Sequence, residues 1–331
     1  MNSDKPLVEV KDLSKTFVLD NSLVQRMLGK TPRFLKAVQR VNLDLERGET
    51  LGLVGESGCG KTTLGRCILR LYEPDEGHVF IHGIDVISLN SAALRQARRK
   101  MQIVFQDPYS SLNPRQKVGQ IIGEVSLVHG ICTQAEVNSH VEYLLNMVGL
   151  GTDIIDRYPH QLSGGQRQRV GLARALAVEP DFIVADEPVS ALDVSIQAQV
   201  INLLVELQEK LHLAMLFITH DLRLVHYISH RVAVMYMGKI VELGPNESLF
   251  AKPLHPYTMA LLAALPHLDP RNRSAAPAIK GEPSSPINIP AGCSFHPRCP
   301  YAFEICARDE PKLTKIANGY FVACHLITSR N

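Results

Sequence analysis

The chain has 331 residues, of which 45% are hydrophobic and 21% charged, and its formal net charge is +2. This composition is typical of a globular protein of about two domains, and the near-neutral charge argues against bulk electrostatic binding of nucleic acid. The sequence has no run of 18 apolar residues, and its N-terminus, Met1–Pro6, has no apolar region of the kind that signal peptides contain. It therefore predicts neither a membrane span nor a secretory signal. We therefore expect the chain to remain in the cytosol.

Predicted strands and helices alternate along the chain. Phe182–Ala185 and Ala214–Ile218 are continuous apolar runs separated by helical segments, which indicates parallel strands covered on both faces. Eight of the 20 prolines lie between Pro266 and Pro300, which predicts a linker and a small appendage. The other predicted elements are β-like runs at 8–10, 17–19, 41–45 and 51–54, a helix over 61–71 and a helical subdomain within 115–150.

A phosphate-binding loop is predicted at Gly55–Thr62, where GESGCGKT matches the pattern G-x-x-x-x-G-K-[ST]. A predicted strand precedes it and a helix follows it, so a chance match is the weaker interpretation. Backbone N–H groups of such a loop converge on phosphate oxygens, and we expect Lys61 to reach the β- and γ-phosphates and Thr62 to coordinate Mg²⁺. The residues assigned to nucleotide binding here, with Cys59 acting through its backbone, are Gly55, Glu56, Ser57, Gly58, Cys59, Gly60, Lys61, Thr62 and Thr63.

Two carboxylates, Asp186 and Glu187, follow the run Phe182–Ala185. Acids at a strand end are common, but beside a phosphate loop Asp186 is expected to hold Mg²⁺ and Glu187 to be the general base that polarises the attacking water. His220 follows the next apolar run in the same way. A lone histidine is more often a core residue, yet ligands of open α/β sheets bind at the carboxyl ends of the strands, which favours a role for His220 at the nucleotide.

Leu162–Gln166 reads LSGGQ, and with the phosphate loop it resembles the signature of the ABC-type ATPases over roughly residues 7–245. The resemblance implies a P-loop ABC ATPase domain at 1–245, with a RecA-like core, an antiparallel β subdomain and a helical subdomain at about 107–170. A small cysteine-bearing C-terminal extension is expected at 246–331.

The resemblance also implies roles for individual residues. Phe17 is similar to the aromatic residue that stacks on adenine, Gln106 to the glutamine that contacts Mg²⁺ and the attacking water, and His220 to the switch histidine at the γ-phosphate. Asp193 is similar to the aspartate of the loop that acts across a dimer of ATPase domains. The γ-phosphate held by the other domain would be bound by the signature residues Ser163, Gly164, Gly165 and Gln166.

Three segments, 107–115, 255–266 and 281–300, resemble the ATPases of the dipeptide/oligopeptide/nickel importers, and most of all their F-type subunit. The resemblance implies an ATP-hydrolysing, energy-coupling subunit for peptides or related small solutes, peripheral to the cytoplasmic face of the inner membrane. Expected partners are a paralogous D-type ATPase subunit or a second copy of this chain, two transmembrane permease subunits and, indirectly, a substrate-binding protein, but no nucleic acid. Residues 106–125 are either a solvated loop or the surface that faces a permease, and the resemblance favours the second.

The proline-rich tail contains four cysteines in the pattern C-x₅-C-x₆-C-x₁₇-C: Cys293, Cys299, Cys306 and Cys324. The spacing lacks the tight knuckle of structural zinc sites. Its wider loops favour a four-thiolate [4Fe–4S] cluster, which similar importer ATPases also carry. Zinc, with His296 or His325 as substitute ligands, is the second interpretation, followed by ordinary buried thiols; a reducing compartment disfavours a disulfide.

Two other functions compete with import. One is a soluble ABC ATPase acting on nucleic acid or ribosomes, but such proteins carry a coiled-coil insertion, a zinc hook or two ATPase units, and the sequence has none of these features. The other, weaker alternative is a structural partner that does not hydrolyse ATP.

Overall fold

Strands and helices alternate along the chain in a computed structural model that describes residues 5–19, 32–107, 112–264 and 287–328. The strands are β1 (Val8–Val18), β2 (Phe34–Leu45), β3 (Thr50–Val54), β4 (Glu76–Ile81), β5 (Ile84–Asp85), β6 (Met101–Val104), β7 (Phe182–Asp186), β8 (Ala214–Ile218), β9 (Arg231–Tyr236), β10 (Lys239–Pro245), β11 (Thr314–Ala317) and β12 (Tyr320–Val322). The α-helices are α1 (Lys61–Ile68), α2 (Ser91–Lys100), α3 (Val118–Val128), α4 (Val137–Met147), α5 (Gly164–Leu176), α6 (Val194–Leu211), α7 (Leu222–Ile228), α8 (Asn246–Ala251), α9 (Pro256–Ala263), α10 (Glu304–Arg308) and α11 (His325–Thr328).

The described residues group into two compact units. One contains Leu45–Thr50 and Ser88–Thr219, and the other contains Glu9–Asp44, Leu51–Ile87 and the chain from His220 onward. Residues 108–111 of the predicted permease-facing segment, and residues 265–286 of the predicted extension, lie outside the described residues.

The first unit contains the parallel strands that the apolar runs predict. Strand β7 pairs in parallel with β6 on one side and with β8 on the other, with Asp186 opposite Ile218. Every residue of β7 and β8 is buried. Continuous burial explains why these strands are apolar throughout rather than alternating.

Helices α3, α4 and α5 pack together in this unit, and α5 also packs on α6. The close approach of α5 to α6 depends on small residues, because a Cβ added at Gly165 would lie 2.5 Å from Ile196 Cγ2. The predicted helical content within 115–150 is confirmed by α3 and α4.

The second unit contains a four-stranded sheet in the order β2–β1–β4–β5. It also contains β3, which pairs in parallel with β9, and β10, which pairs antiparallel with β9. The tail strand β12 adds antiparallel to β10, and β11 adds to β12. Strands β11 and β12 of the extension are therefore hydrogen-bonded to the same row of strands that includes β3, the strand before the phosphate loop.

A buried carboxylate joins the tail to β10. Glu242, which has no exposed surface, accepts hydrogen bonds from Leu254 N (2.7 Å), His255 N (3.1 Å) and the Tyr320 hydroxyl (2.6 Å). Burial raises the pKa of this carboxyl, while the hydrogen bonds oppose the shift. Within the described segments, no helix has the length and apolar character needed to cross a membrane.

Candidate active site

The loop between β3 and α1 has the backbone that its glycines permit. Gly55 and Gly60 have φ values of 156° and 109°. A Cβ at Gly55 would lie 2.1 Å from the carbonyl oxygen of Met235, and one at Gly60 would lie 2.0 Å from that of Ala37. Only glycine fits such close approaches of backbone to backbone. The conformation of the loop thus depends on close contacts of Gly55 with Met235 and of Gly60 with Ala37, which the sequence pattern alone does not reveal.

Lys61 starts α1 and is 6% exposed. Its Nζ donates to the carbonyl oxygens of Gly55 (2.8 Å) and Glu56 (3.0 Å), so the ammonium lies against the loop. Ser57 and Gly58 form the exposed tip of this loop. Thr62 and Thr63 lie half-buried in the first turn of α1, and Cys59 is buried, with the pKa of its thiol raised by burial.

The predicted base, Glu187, and the glutamine predicted to contact Mg²⁺ and the attacking water, Gln106, meet in the first unit. Gln106 Nε2 donates to Glu187 Oε2 at 3.0 Å. Asp186, one residue earlier at the end of β7, is 2% exposed. The structure thus brings Gln106 and Glu187 together, and Asp186 directly precedes Glu187 in the chain.

Glu187 has φ 47°, a left-handed conformation that is unusual for a residue other than glycine. Its N–H donates to Ile218 O at 2.8 Å, and its carbonyl accepts from Ser190 Oγ at 3.1 Å. Backbone strain of this kind persists where neighbouring groups hold it, and it concentrates at functional sites. The bend after β7 therefore presents the Glu187 side chain in one fixed direction.

The signature residues begin α5. Ser163 is its N-cap: Ser163 Oγ accepts from Gln166 N (3.2 Å), and Gln166 Oε1 accepts from Ser163 N (3.0 Å). This capping box stabilises the helix start. It also leaves the first-turn glycines Gly164 and Gly165 at a helix N-terminus, where the helix dipole attracts anions.

Three predicted residues remain to be described: Phe17, His220 and Asp193. The Phe17 ring is half-buried and meets the ring of Tyr72 edge to face, with centroids 5.6 Å apart. His220 is exposed after β8, and Asp193 is the exposed N-cap residue of α6. Their predicted roles toward the nucleotide remain predictions.

Residues 38–190 match the family model described as ABC transporter, and residues 241–306 match the one described as oligopeptide/dipeptide transporter, C-terminal region. The chain is 50% identical over 327 residues to the oligopeptide transport ATP-binding protein AppF of Bacillus subtilis, covering 98% of each chain. This chain belongs to the ABC transporter ATPases. The ABC ATPase is also 49% identical over 322 residues to a Brucella ovis protein named for peptide import and ATP binding, covering 97% of this chain and 98% of that protein.

Solved cassettes share the fold of this ABC ATPase. The dimeric cassette MJ0796 bound to ADP and Pi superposes with a TM-score of 0.62 at 29% identity, covering 72% of this chain and 98% of that one. The cbiO1 protein of Clostridium perfringens, part of the ABC transporter complex cbiONQ, gives a TM-score of 0.62 at 27% identity, covering 75% of this chain and 92% of that one. The predicted P-loop ABC ATPase fold and ATPase activity are confirmed.

The predicted iron–sulfur cluster is wrong. In the described part of the chain, no group of three or more His, Cys, Asp or Glu side chains forms an arrangement that could hold a metal ion, and the relatives are named only as ATP-binding proteins. Burial raises the pKa of Cys293 to about 11 and also raises those of Cys299 and Cys324. These three cysteines and Cys306 line one small cavity, and within the described residues the same finding supports neither the cluster nor zinc.

Two tail residues contact the phosphate loop and are absent from the sequence-based assignment. Tyr257 Oη accepts from the N–H of Glu56 at 2.8 Å, and Arg298 pairs with the Glu56 carboxylate at 3.0 and 3.1 Å. They follow Glu56 by 201 and 242 residues. No periodicity or motif connects positions so far apart, and no sequence signal could have identified them.

Proposed function

We propose that this ABC ATPase is the energy-coupling subunit of a bacterial importer for di- or oligopeptides or related small solutes. The observation that carries the proposal is the match of residues 241–306 to the oligopeptide/dipeptide transporter C-terminal region, next to a complete ATPase motif set. Full-length relatives named for oligopeptide transport and peptide import support it. The same names disfavour an ATPase that acts on nucleic acid or ribosomes.

The proposed magnesium ligands are side-chain oxygens of three residues: Thr62, Gln106 and Asp186. Hydroxyl, amide and carboxylate oxygens are the donors that Mg²⁺ prefers. Because Gln106 directs its amide nitrogen to Glu187, its amide oxygen is the atom suited to a cation. When bound with ATP, Mg²⁺ neutralises charge on the β- and γ-phosphates.

Other residues of this chain bind the nucleotide and activate the attacking water. Lys61 and the loop N–H groups bind the phosphates, while Phe17 stacks on the adenine. Glu187 accepts a proton from the attacking water, which Gln106 orients, and His220 contacts the γ-phosphate.

The N-terminus of α5 serves a second ATPase domain. Ser163 supplies a hydroxyl, and Gly164 and Gly165 supply N–H groups, to the γ-phosphate held by the other domain's phosphate loop. Asp193 acts at the same interface. The second domain is a paralogous D-type subunit or another copy of this chain, and ATP binding closes the pair.

The importer assembly extends beyond this chain. Two transmembrane permease subunits bind it at the cytoplasmic face of the inner membrane, and a substrate-binding protein delivers the solute to them. The ATPase domain spans residues 1–245, with the helical subdomain at about 107–170, and the extension spans 246–331. A permease docks near the segment 106–125, so that closure of the ATPase pair is transmitted to the membrane.

Affinity purification of the tagged full-length chain from crosslinked membranes of its native host tests this function. We expect two permease subunits to co-purify, with ATP hydrolysis that a binding protein loaded with peptide stimulates. Hydrolysis stimulated by DNA or ribosomes, with no permease in the complex, would contradict the proposal.

A further inference from the structure

Three separate groups of Glu56, in the phosphate loop, are held by hydrogen bonds. Its N–H donates to the Tyr257 hydroxyl at 2.8 Å, and its carboxylate accepts from both terminal nitrogens of Arg298 at 3.0 and 3.1 Å. Its carbonyl accepts from Lys61 Nζ at 3.0 Å. One residue, Glu56, therefore links the C-terminal extension to the lysine of the loop.

The pairing of Arg298 with Glu56 has the geometry of a strong ion pair. The Arg298 side chain is 8% exposed and the Glu56 side chain 23%. Two parallel N–H to oxygen bonds fix both planar groups, and such bidentate pairs are stronger and more directional than single contacts. Arg298 Nη1 also lies 3.5 Å from the Tyr236 hydroxyl.

An aromatic cluster surrounds this pair. The ring centroids of Tyr236 and Tyr257 lie 4.6 Å apart, and each is 5.4 Å from that of Phe295. Tyr236 ends β9, which pairs with β3, the strand that leads into the loop. The cluster thus packs residues of the extension against β9, the neighbour of the strand that leads into the phosphate loop.

The position of the Lys61 ammonium depends on this arrangement. Lys61 Nζ is hydrogen-bonded to the carbonyls of Gly55 and Glu56, and turning the Glu56 peptide would move one of these two acceptors. Arg298 also neutralises the Glu56 carboxylate. Without it, a negative charge would stand in the loop that receives the negatively charged phosphates.

We propose that Arg298 and Tyr257 are positioning residues for nucleotide binding: the C-terminal extension fixes Glu56, neutralises its charge and so sets the affinity of the phosphate loop for MgATP. The proposal rests on the proposed role of Lys61 in binding phosphate. The extension would thus influence nucleotide binding at the phosphate loop of the same chain.

Calorimetric titration of the full-length chain with MgATP tests this proposal. We expect Arg298→Met to raise the Kd about tenfold, equivalent to about 1.4 kcal/mol. Adding Glu56→Gln should recover part of that loss, because the uncompensated charge disappears. A purely structural role of Arg298 would give no such recovery. Arg298→Lys, which keeps the charge, should lie closer to the wild type.

Arg308→Met is the matched control, because Arg308 pairs with Glu304 on the exposed surface of the same extension. It should leave the Kd unchanged. If Arg298→Met does not fold, Tyr257→Phe provides the test: it keeps the buried ring, removes the acceptor of the Glu56 N–H and should weaken MgATP binding.

Two results overturn the proposal: folded Arg298→Met or Tyr257→Phe with the wild-type Kd, or an Arg298→Met loss that Glu56→Gln does not reduce. Lys61→Ala separates this failure from that of the phosphate site. If Lys61→Ala binds MgATP like the wild type, the proposed site is itself wrong. If it loses binding while the tail variants do not, only the inference about the extension fails.

Discussion

Gln106 donates its side-chain amide to Glu187 at 3.0 Å across 81 residues of sequence. This hydrogen bond restricts rotation of the Glu187 side chain, whose Cα–Cβ direction is already set by the left-handed backbone at residue 187. A general base for water requires a carboxylate that is held in place.

Glu187→Gln should therefore abolish turnover while keeping MgATP binding. The amide cannot accept the proton of the attacking water, so we expect kcat to fall by about 10²–10⁴-fold. Phosphate release measures the loss, and calorimetry measures retained binding.

Glu209→Gln on the exposed face of α6 is the control for removing a carboxylate and should hydrolyse ATP normally. Wild-type turnover in Glu187→Gln would exclude Glu187 as the base.

Local patterns predicted the strands that are buried on both faces. The apolar run Ala214–Ile218 matches β8 residue for residue, and Phe182–Ala185 matches β7 except for its final Asp186. Polar residues separate the two short apolar runs at 8–10 and 17–19, so the sequence did not predict that Val8–Val18 forms the single strand β1. Hydrogen bonding to neighbouring strands, rather than apolar character, defines this strand.

Long-range contacts explain what the sequence did not reveal. Strand β12 pairs with β10 about 80 residues earlier, for instance Val322 with Glu242, and neither pattern specifies the other. The Arg298–Glu56 pair is of the same kind. The spacing of the tail cysteines predicted a metal cluster, but spacing carries no information on whether the thiols adopt an arrangement that can hold a metal ion.

Two glycines of the phosphate loop should respond differently to alanine. Gly60 (φ 109°) would place a Cβ 2.0 Å from the Ala37 carbonyl oxygen, whereas Gly58 (φ 77°) has no atom within 4 Å of such a Cβ. Gly58→Ala should cost about 1–2 kcal/mol of unfolding free energy from backbone strain alone. Gly60→Ala adds the collision and should cost clearly more. Urea unfolding followed by circular dichroism measures both, and equal losses would show that the loop relaxes around the added methyl.

His255 should make attachment of the extension sensitive to acid. It is buried at the start of α9, where Nδ1 accepts from Tyr257 N at 3.0 Å, and burial lowers its pKa to about 3. Because the unfolded pKa is about 6.5, the neutral residue's contribution is complete above pH 6.5 and declines as the pH falls toward 3. Between pH 6.5 and 5 the loss is about 2 kcal/mol. Glu242, with a raised pKa, acts in the opposite sense, because folding favours its protonated form as the pH falls.

His255→Asn isolates the histidine, because asparagine also caps a helix N-terminus but does not titrate. Hydrogen exchange of the α9 amides at pH 7 and pH 5 is the measurement. The wild type should lose protection at pH 5, and the variant should lose less or gain. The same loss in both proteins would assign the acid sensitivity to another group.

Ser163 can be tested as an anion ligand separately from its role as a helix cap. Aspartate caps helices as well as serine does, so Ser163→Asp should leave the unfolding free energy within about 0.5 kcal/mol of the wild type. Ser163→Ala, which removes the cap, should lose about 1 kcal/mol. The aspartate, however, places a negative charge where the γ-phosphate of the other domain is expected. At 4 Å and an effective dielectric constant of 20, two unit charges repel by roughly 4 kcal/mol.

Sedimentation of the ATP-bound pair in a Glu187→Gln background measures that repulsion, because the background stops hydrolysis and preserves the closed state. We expect Ser163→Asp to prevent ATP-dependent pairing, and Ser163→Ala to weaken it much less. The order matters more than either value: a capping role alone predicts that alanine is the worse substitution, whereas an anion site predicts that aspartate is. If the Ser163→Asp variant pairs as well as its Glu187→Gln parent, Ser163 acts only as the N-cap of α5 and is not an anion ligand.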